Sequence, residues 1–80
     1  MTVEFSVDVE LDATRLRCPM PLLKLKQQLN RMSVGQCIRV RATDKGSVRD
    51  FAAFLGQVGH RMLEQAEISD EFVFIIQKES

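Results

Sequence analysis

Few side chains in this 80-residue chain can do chemistry on their own: two cysteines, Cys18 and Cys37, and one histidine, His60. Cys18 is followed by Pro19 and Pro21, a pair that stiffens a turn and suits the first turn of a helix, where the missing proline N–H has no partner to lose. A sulfur at such a junction meets unpaired N–H groups and the positive end of a helix dipole. With Arg17 beside it and Arg15 close, its thiol pKa is expected to fall from about 8.5 into the range of roughly 3.5 to 7.5, favouring a thiolate or persulfide anion. The plain alternative is a structural cysteine at a helix stop. Cys37 lies in a stretch that reads as a strand and is expected to be inert.

A lone activated cysteine has limited chemistry. Hydrolysis by a thiolate needs a base held against it, and nothing local ties His60 to Cys18. Dithiol exchange needs a resolving cysteine, and Cys37 is too distant in sequence for a Cys-x-x-Cys motif. What is left is exchange completed by a second protein, with Cys18 attacking a donor persulfide and later surrendering the terminal sulfur. Cys18, Cys37 and His60 lack metal-ligand spacing, so no metal site is expected. Asp44, Lys45, Gly46 and Ser47 lack the spaced glycines of a phosphate loop, and no cofactor is expected. Asp44 and Asp50 read as residues that set the turn and bracket the second helix, contact with a partner being the weaker alternative; Phe54 reads as core, and His60 as a strand-end residue or one that orients something near the site.

The elements that must position Cys18 follow from periodicity. Residues 3–12 alternate apolar and polar side chains, a half-buried strand. Leu22, Leu25, Leu29 and Met32 recur at helical spacing, predicting a helix over about 19–32 that ends at Ser33, Val34 and Gly35. Ile38, Val40 and Ala42 mark a second strand. A turn through Thr43, Asp44, Lys45 and Gly46 leads to Ser47 as N-cap of a second helix. That helix has an inner face of Val48, Phe51, Ala52, Leu55 and Val58 and closes at Gly59. Two strands, about 60–68 and 71–78, flank a tight hairpin at Ser69 and Asp70. The order β-α-β-α-β-β implies a two-layer α/β sandwich: a mixed four-stranded sheet with both helices on one face, in a single domain over residues 1–80.

The formal net charge is zero, from eleven basic and eleven acidic residues, which argues against a partner that is nucleic acid or anionic membrane. The charges are uneven: Glu4, Asp8, Glu10 and Asp12 precede a stretch, residues 15–41, in which every charged residue is basic. Such a dipolar chain could steer an acidic partner to one end. Lys24, Lys26 and Arg31 read as a solvated helix face, or as a docking rim around Cys18. With no export signal or membrane span in sight, a cytoplasmic location with both cysteines as free thiols is expected. Competing readings are an RNA-binding or regulatory module, disfavoured by the neutral charge and the lack of Trp and Tyr, and a thiol redox protein.

Leu11, Asp12 and Ala13, then the run Leu16, Arg17, Cys18, Pro19, Met20 and Pro21, resemble the signature of the TusA/SirA-like sulfur carriers, centred on Cys-Pro-x-Pro. Asp44, Arg49, Asp50, Phe54, Gly59 and His60 look like that family's second helix segment. The resemblance implies that Cys18 bears the sulfur and that Pro19 and Pro21 shape the helix start. It also implies a cysteine desulfurase or rhodanese-like donor and a downstream acceptor protein, serving tRNA thiolation, cofactor synthesis or sulfur oxidation. Departures from the family pattern are Arg15 in place of a common glycine, Met20 where tRNA-thiolation members carry an acid, and Lys45 and Ala52 in place of frequent prolines. Arg15, Met20, Lys24 and Lys26 are the candidates for partner docking.

Overall fold

The computed structural model describes residues 7–80. The chain runs β1 (Val9–Ala13), α1 (Met20–Arg31), β2 (Cys37–Ala42), α2 (Gly46–Val58), β3 (Arg61–Ile68) and β4 (Glu71–Gln77). The sheet order is β1-β2-β4-β3, with β1 parallel to β2 and the other neighbours antiparallel. This is the expected mixed four-stranded sheet. Residues 3–6 of the expected first strand lie outside the described residues.

Alternation sorts each strand between two faces. Leu11, Ala13, Ile38, Val40, Phe74 and Ile76 join Leu25, Leu29, Phe51 and Leu55 of the helices in one core. Phe51 and Phe74 meet at its centre with ring centroids 4.6 Å apart and planes tilted by 53°, a pairing worth about 0.5–1.5 kcal/mol beyond its buried area. On the opposite face the register sets Glu10 beside Arg39 and Asp12 beside Arg41. Arg39 grips Glu10 with two bonds of 2.7 Å, and Arg41 reaches Asp12 at 3.1 Å and Glu71 at 3.5 Å. The acidic start and basic middle of the chain therefore meet across parallel strands. Of the basic run, Arg39 and Arg41 thus spend their charge on acids of the neighbouring strands.

Three local expectations also need revision. Ser47 does not cap α2. It lies within the first turn, 1% exposed, with its hydroxyl unpartnered, while Asp44 starts the helix by accepting the Gly46 N–H at 2.8 Å. An aspartate bonding its own backbone two residues on makes a turn by itself, which displaces the start upstream of the serine. Ala52 and Val58 are exposed, because the inner face of α2 is the narrower row Ser47, Phe51 and Leu55. Gly35 falls in a turn beyond α1 rather than at its end. That end is closed instead by Lys78, whose ammonium donates to the Leu29 and Met32 carbonyls at 2.6 and 2.8 Å. Gly59 closes α2 as expected, at φ 81° with its N–H on the Leu55 carbonyl. Ser69 and Asp70 turn the hairpin at φ 50° and 66°.

Candidate functional site

The loop from β1 to α1 carries Cys18 to the surface, and the loop from β2 to α2 holds it there. Arg15, at φ 67°, donates its N–H to Thr43 Oγ1 at 2.8 Å. The Cys18 N–H donates to Asp44 Oδ2 at 2.5 Å, while the other oxygen of that carboxylate takes the Gly46 N–H. One side chain thus ties the turn before α1 to the start of α2. The Met20 N–H closes onto the Arg17 carbonyl at 2.8 Å and the Leu23 N–H onto that of Pro19 at 3.1 Å, so α1 begins directly after the cysteine. Pro21 is fully buried beneath this turn and Pro19 stands at the helix boundary, exposed.

The sulfur itself faces α2. Cys18 Sγ lies 2.6 Å from Asp50 Oδ2, with the thiol donating to the carboxylate. A Cβ at Gly46 would crowd Asp44 Oδ1 at 3.2 Å and would meet Cys18 Cβ at 3.4 Å and the sulfur at 3.8 Å in ordinary contact, so Gly46 lies directly against the cysteine and its aspartate clasp. The thiol pKa lies above its ordinary value, first because of the hydrogen bond to Asp50, then through partial desolvation and the charges of Asp50 and Asp44. Arg49 alone pulls the other way. The thiolate-favouring surroundings expected from Arg15 and Arg17 are therefore corrected: through space the sulfur meets two carboxylates from a distant segment. Arg17 acts on Asp44 instead, whose carboxyl is held below the usual range mainly by the Cys18 and Gly46 N–H groups. Together with Arg15, Leu16 and Thr43 it lines a shallow cleft beside that carboxylate.

The other expected site residues separate. Met20 and Leu23 are 41% and 43% exposed on the first turn of α1, next to exposed Lys24. Lys26 is committed elsewhere, its ammonium 5.1 Å from the centre of the Phe54 ring. His60 is remote from the sulfur, accepting the Glu79 N–H at Nδ1 and meeting Phe54 edge-on. Cys37 is buried, donating its N–H to Asp8, and burial pushes its thiol pKa up. Among the described residues, no group of three or more His, Cys, Asp or Glu side chains could hold a metal. No helix among them is long and apolar enough to cross a membrane.

Residues 9–78 match the family described as Sulfurtransferase TusA. The chain belongs to the TusA family. Among its relatives, the Sulfur carrier protein TusA of Allochromatium vinosum is 51% identical over 71 residues, covering 89% of this chain and 93% of that protein. The protein of the same name from Pseudomonas putida strain GB-1 is 36% identical over 77 residues, 96% of each chain. The crystal structure of a SirA-like protein from Desulfitobacterium hafniense superposes with a TM-score of 0.79 at 19% identity, covering 90% of this chain and 99% of that one, and so shares the fold. Within this TusA-family chain, Asp44 and Asp50 are the residues that reasoning from the sequence underrated. They were visible as acids flanking a helix start, and only their separation of 26 and 32 residues from Cys18 concealed their contact with it.

Proposed function

We propose that this chain is a sulfur carrier that accepts sulfane sulfur as a persulfide on Cys18 and relays it to an acceptor protein. The observation that carries the reading is an exposed thiol on a turn locked from both sides, in a chain of the TusA family. An exposed sulfur with no resolving cysteine beside it suits a reaction completed by a partner.

In the loading step Cys18 Sγ attacks the terminal sulfur of a donor's cysteine persulfide. A new S–S bond forms at Sγ, the donor's S–S bond breaks, and its electron pair leaves on the donor's cysteine sulfur, which takes up a proton. The same exchange with an acceptor thiol unloads the carrier. A cysteine desulfurase or a rhodanese-like protein is the donor class, and Met20, Leu23 and Lys24 beside the sulfur form the surface against which such proteins dock. Arg15, in the loop from β1, is exposed in the cleft beside Asp44 and is a second candidate for partner contact. The reducing cytoplasm is the compartment that keeps the empty thiol available.

Intact-protein mass spectrometry tests the reading. After incubation with a cysteine desulfurase and cysteine, or with thiosulfate and a rhodanese, the chain gains about 32 Da, one sulfur, removed by dithiothreitol and absent in Cys18→Ser. No gain with either donor, while Cys18 still alkylates, refutes it for these donors and favours a thiol redox protein.

A further inference from the structure

The acid against Cys18 has a structural role that the transfer reaction does not require. Asp50 is mostly sheltered, its side chain 21% exposed, and among the described residues its second oxygen has a loose partner, Arg49 Nε at 3.9 Å. Its close partner is the sulfur. A carboxylate can only accept, so at this distance the contact is attractive when sulfur carries hydrogen and repulsive when it is ionised. The groups facing the sulfur are Asp50 and Arg49 from α2 and Asp44 from the preceding loop, with Arg17 acting on Asp44.

We propose that Asp50 is a positioning residue that holds the sulfur of the empty carrier as a thiol and releases it on loading. The second half rests on the persulfide reading of Cys18. During attack on the donor persulfide, the Sγ proton is lost to water, and the departing donor sulfur takes one up. Sγ then bears a sulfur in place of its hydrogen and has nothing to donate to Asp50. Empty and loaded forms thus differ by one contact at the start of α2. In the empty form, thiol character spares Cys18 from oxidants, which act on thiolates.

The test is the pH profile of Cys18 alkylation by iodoacetamide on the empty protein, with the adduct located by peptide mapping. Wild type should show a midpoint above the free-cysteine value of about 8.5. Asp50→Asn, with its unfolding transition checked alongside, should lower that midpoint and speed alkylation at neutral pH by about three- to fourfold for each pH unit that the midpoint falls, since the thiolate fraction rises about tenfold while the less basic thiolate is a weaker nucleophile. A wild-type midpoint at or below about 8.5 overturns the proposal, and does so even if the variant does not fold. A folded Asp50→Asn whose profile superposes on wild type overturns it too. Persulfide chemistry is not needed for any of these readouts. A high midpoint that falls in Asp50→Asn, in a protein that never gains sulfur, keeps the thiol-holding role and overturns release on loading together with the carrier reading.

Discussion

Asp44 accepts the backbone N–H of Cys18 with one carboxylate oxygen and that of Gly46 with the other, coupling the sulfur-bearing turn to the start of α2. Asn at this position keeps one acceptor and presents an NH2 where the second N–H needs an oxygen. Asp44→Asn is therefore expected to lower the thermal midpoint and to slow sulfur loading, because the turn is no longer held.

The same contact makes a pH prediction. The Asp44 carboxyl is held below its ordinary pKa in the folded chain, so its contribution is fully present above the unfolded value of about 3.9. It is lost as pH falls through the folded value. The stability gap between wild type and Asp44→Asn should be constant near neutrality and shrink below about pH 4, as followed by urea unfolding at stepped pH. A gap that widens in acid would contradict this.

Arg15 sits at φ 67°, a left-handed conformation that costs a residue with a Cβ about 1–2 kcal/mol. Arg15→Gly removes that strain and adds unfolded-chain entropy, so a net gain of roughly 0.5–1 kcal/mol is expected. It would appear as a higher urea midpoint with unchanged slope.

Lys78 donates from one ammonium to two carbonyls at the end of α1. Lys78→Met keeps the stem and deletes the donors, and should cost about 1–3 kcal/mol. Cys18 alkylation should be unaffected, since the lysine binds the far end of the helix. A variant that unfolds like wild type would show that water replaces the ammonium without loss.

Cys18 is exposed and Cys37 is 7% exposed. Native protein at mildly alkaline pH should take one alkyl group promptly and a second only after denaturation. Cys18→Ser should leave the circular dichroism spectrum and unfolding midpoint close to wild type, because the side chain fills no core space. Rapid native modification at Cys37 would contradict its burial.

Most of the fold was legible because its signals are local. Period two in β1 and β2, the proline-led start of α1, Gly59 after α2 and the two-residue hairpin at Ser69 and Asp70 each follow from backbone preferences acting within a few residues. The run around Cys18 that carries the resemblance to the family is likewise short and local. Those features determined the element order and the position of Cys18 at a helix start.

Tertiary structure alone decided the electrostatics. Arg15 and Arg17 are next to Cys18 along the chain, yet the crossover from β1 through α1 to β2 brings Asp44 and Asp50 against it instead. Likewise, Arg39 and Arg41 form part of a basic run in sequence, but the parallel register sets them opposite Glu10 and Asp12. Charge acts through space and falls off with distance, so the sign of the field at the sulfur depends on which strands are neighbours. That neighbourhood is settled by burial of the two helices on one face of the sheet, a global property that no local pattern encodes.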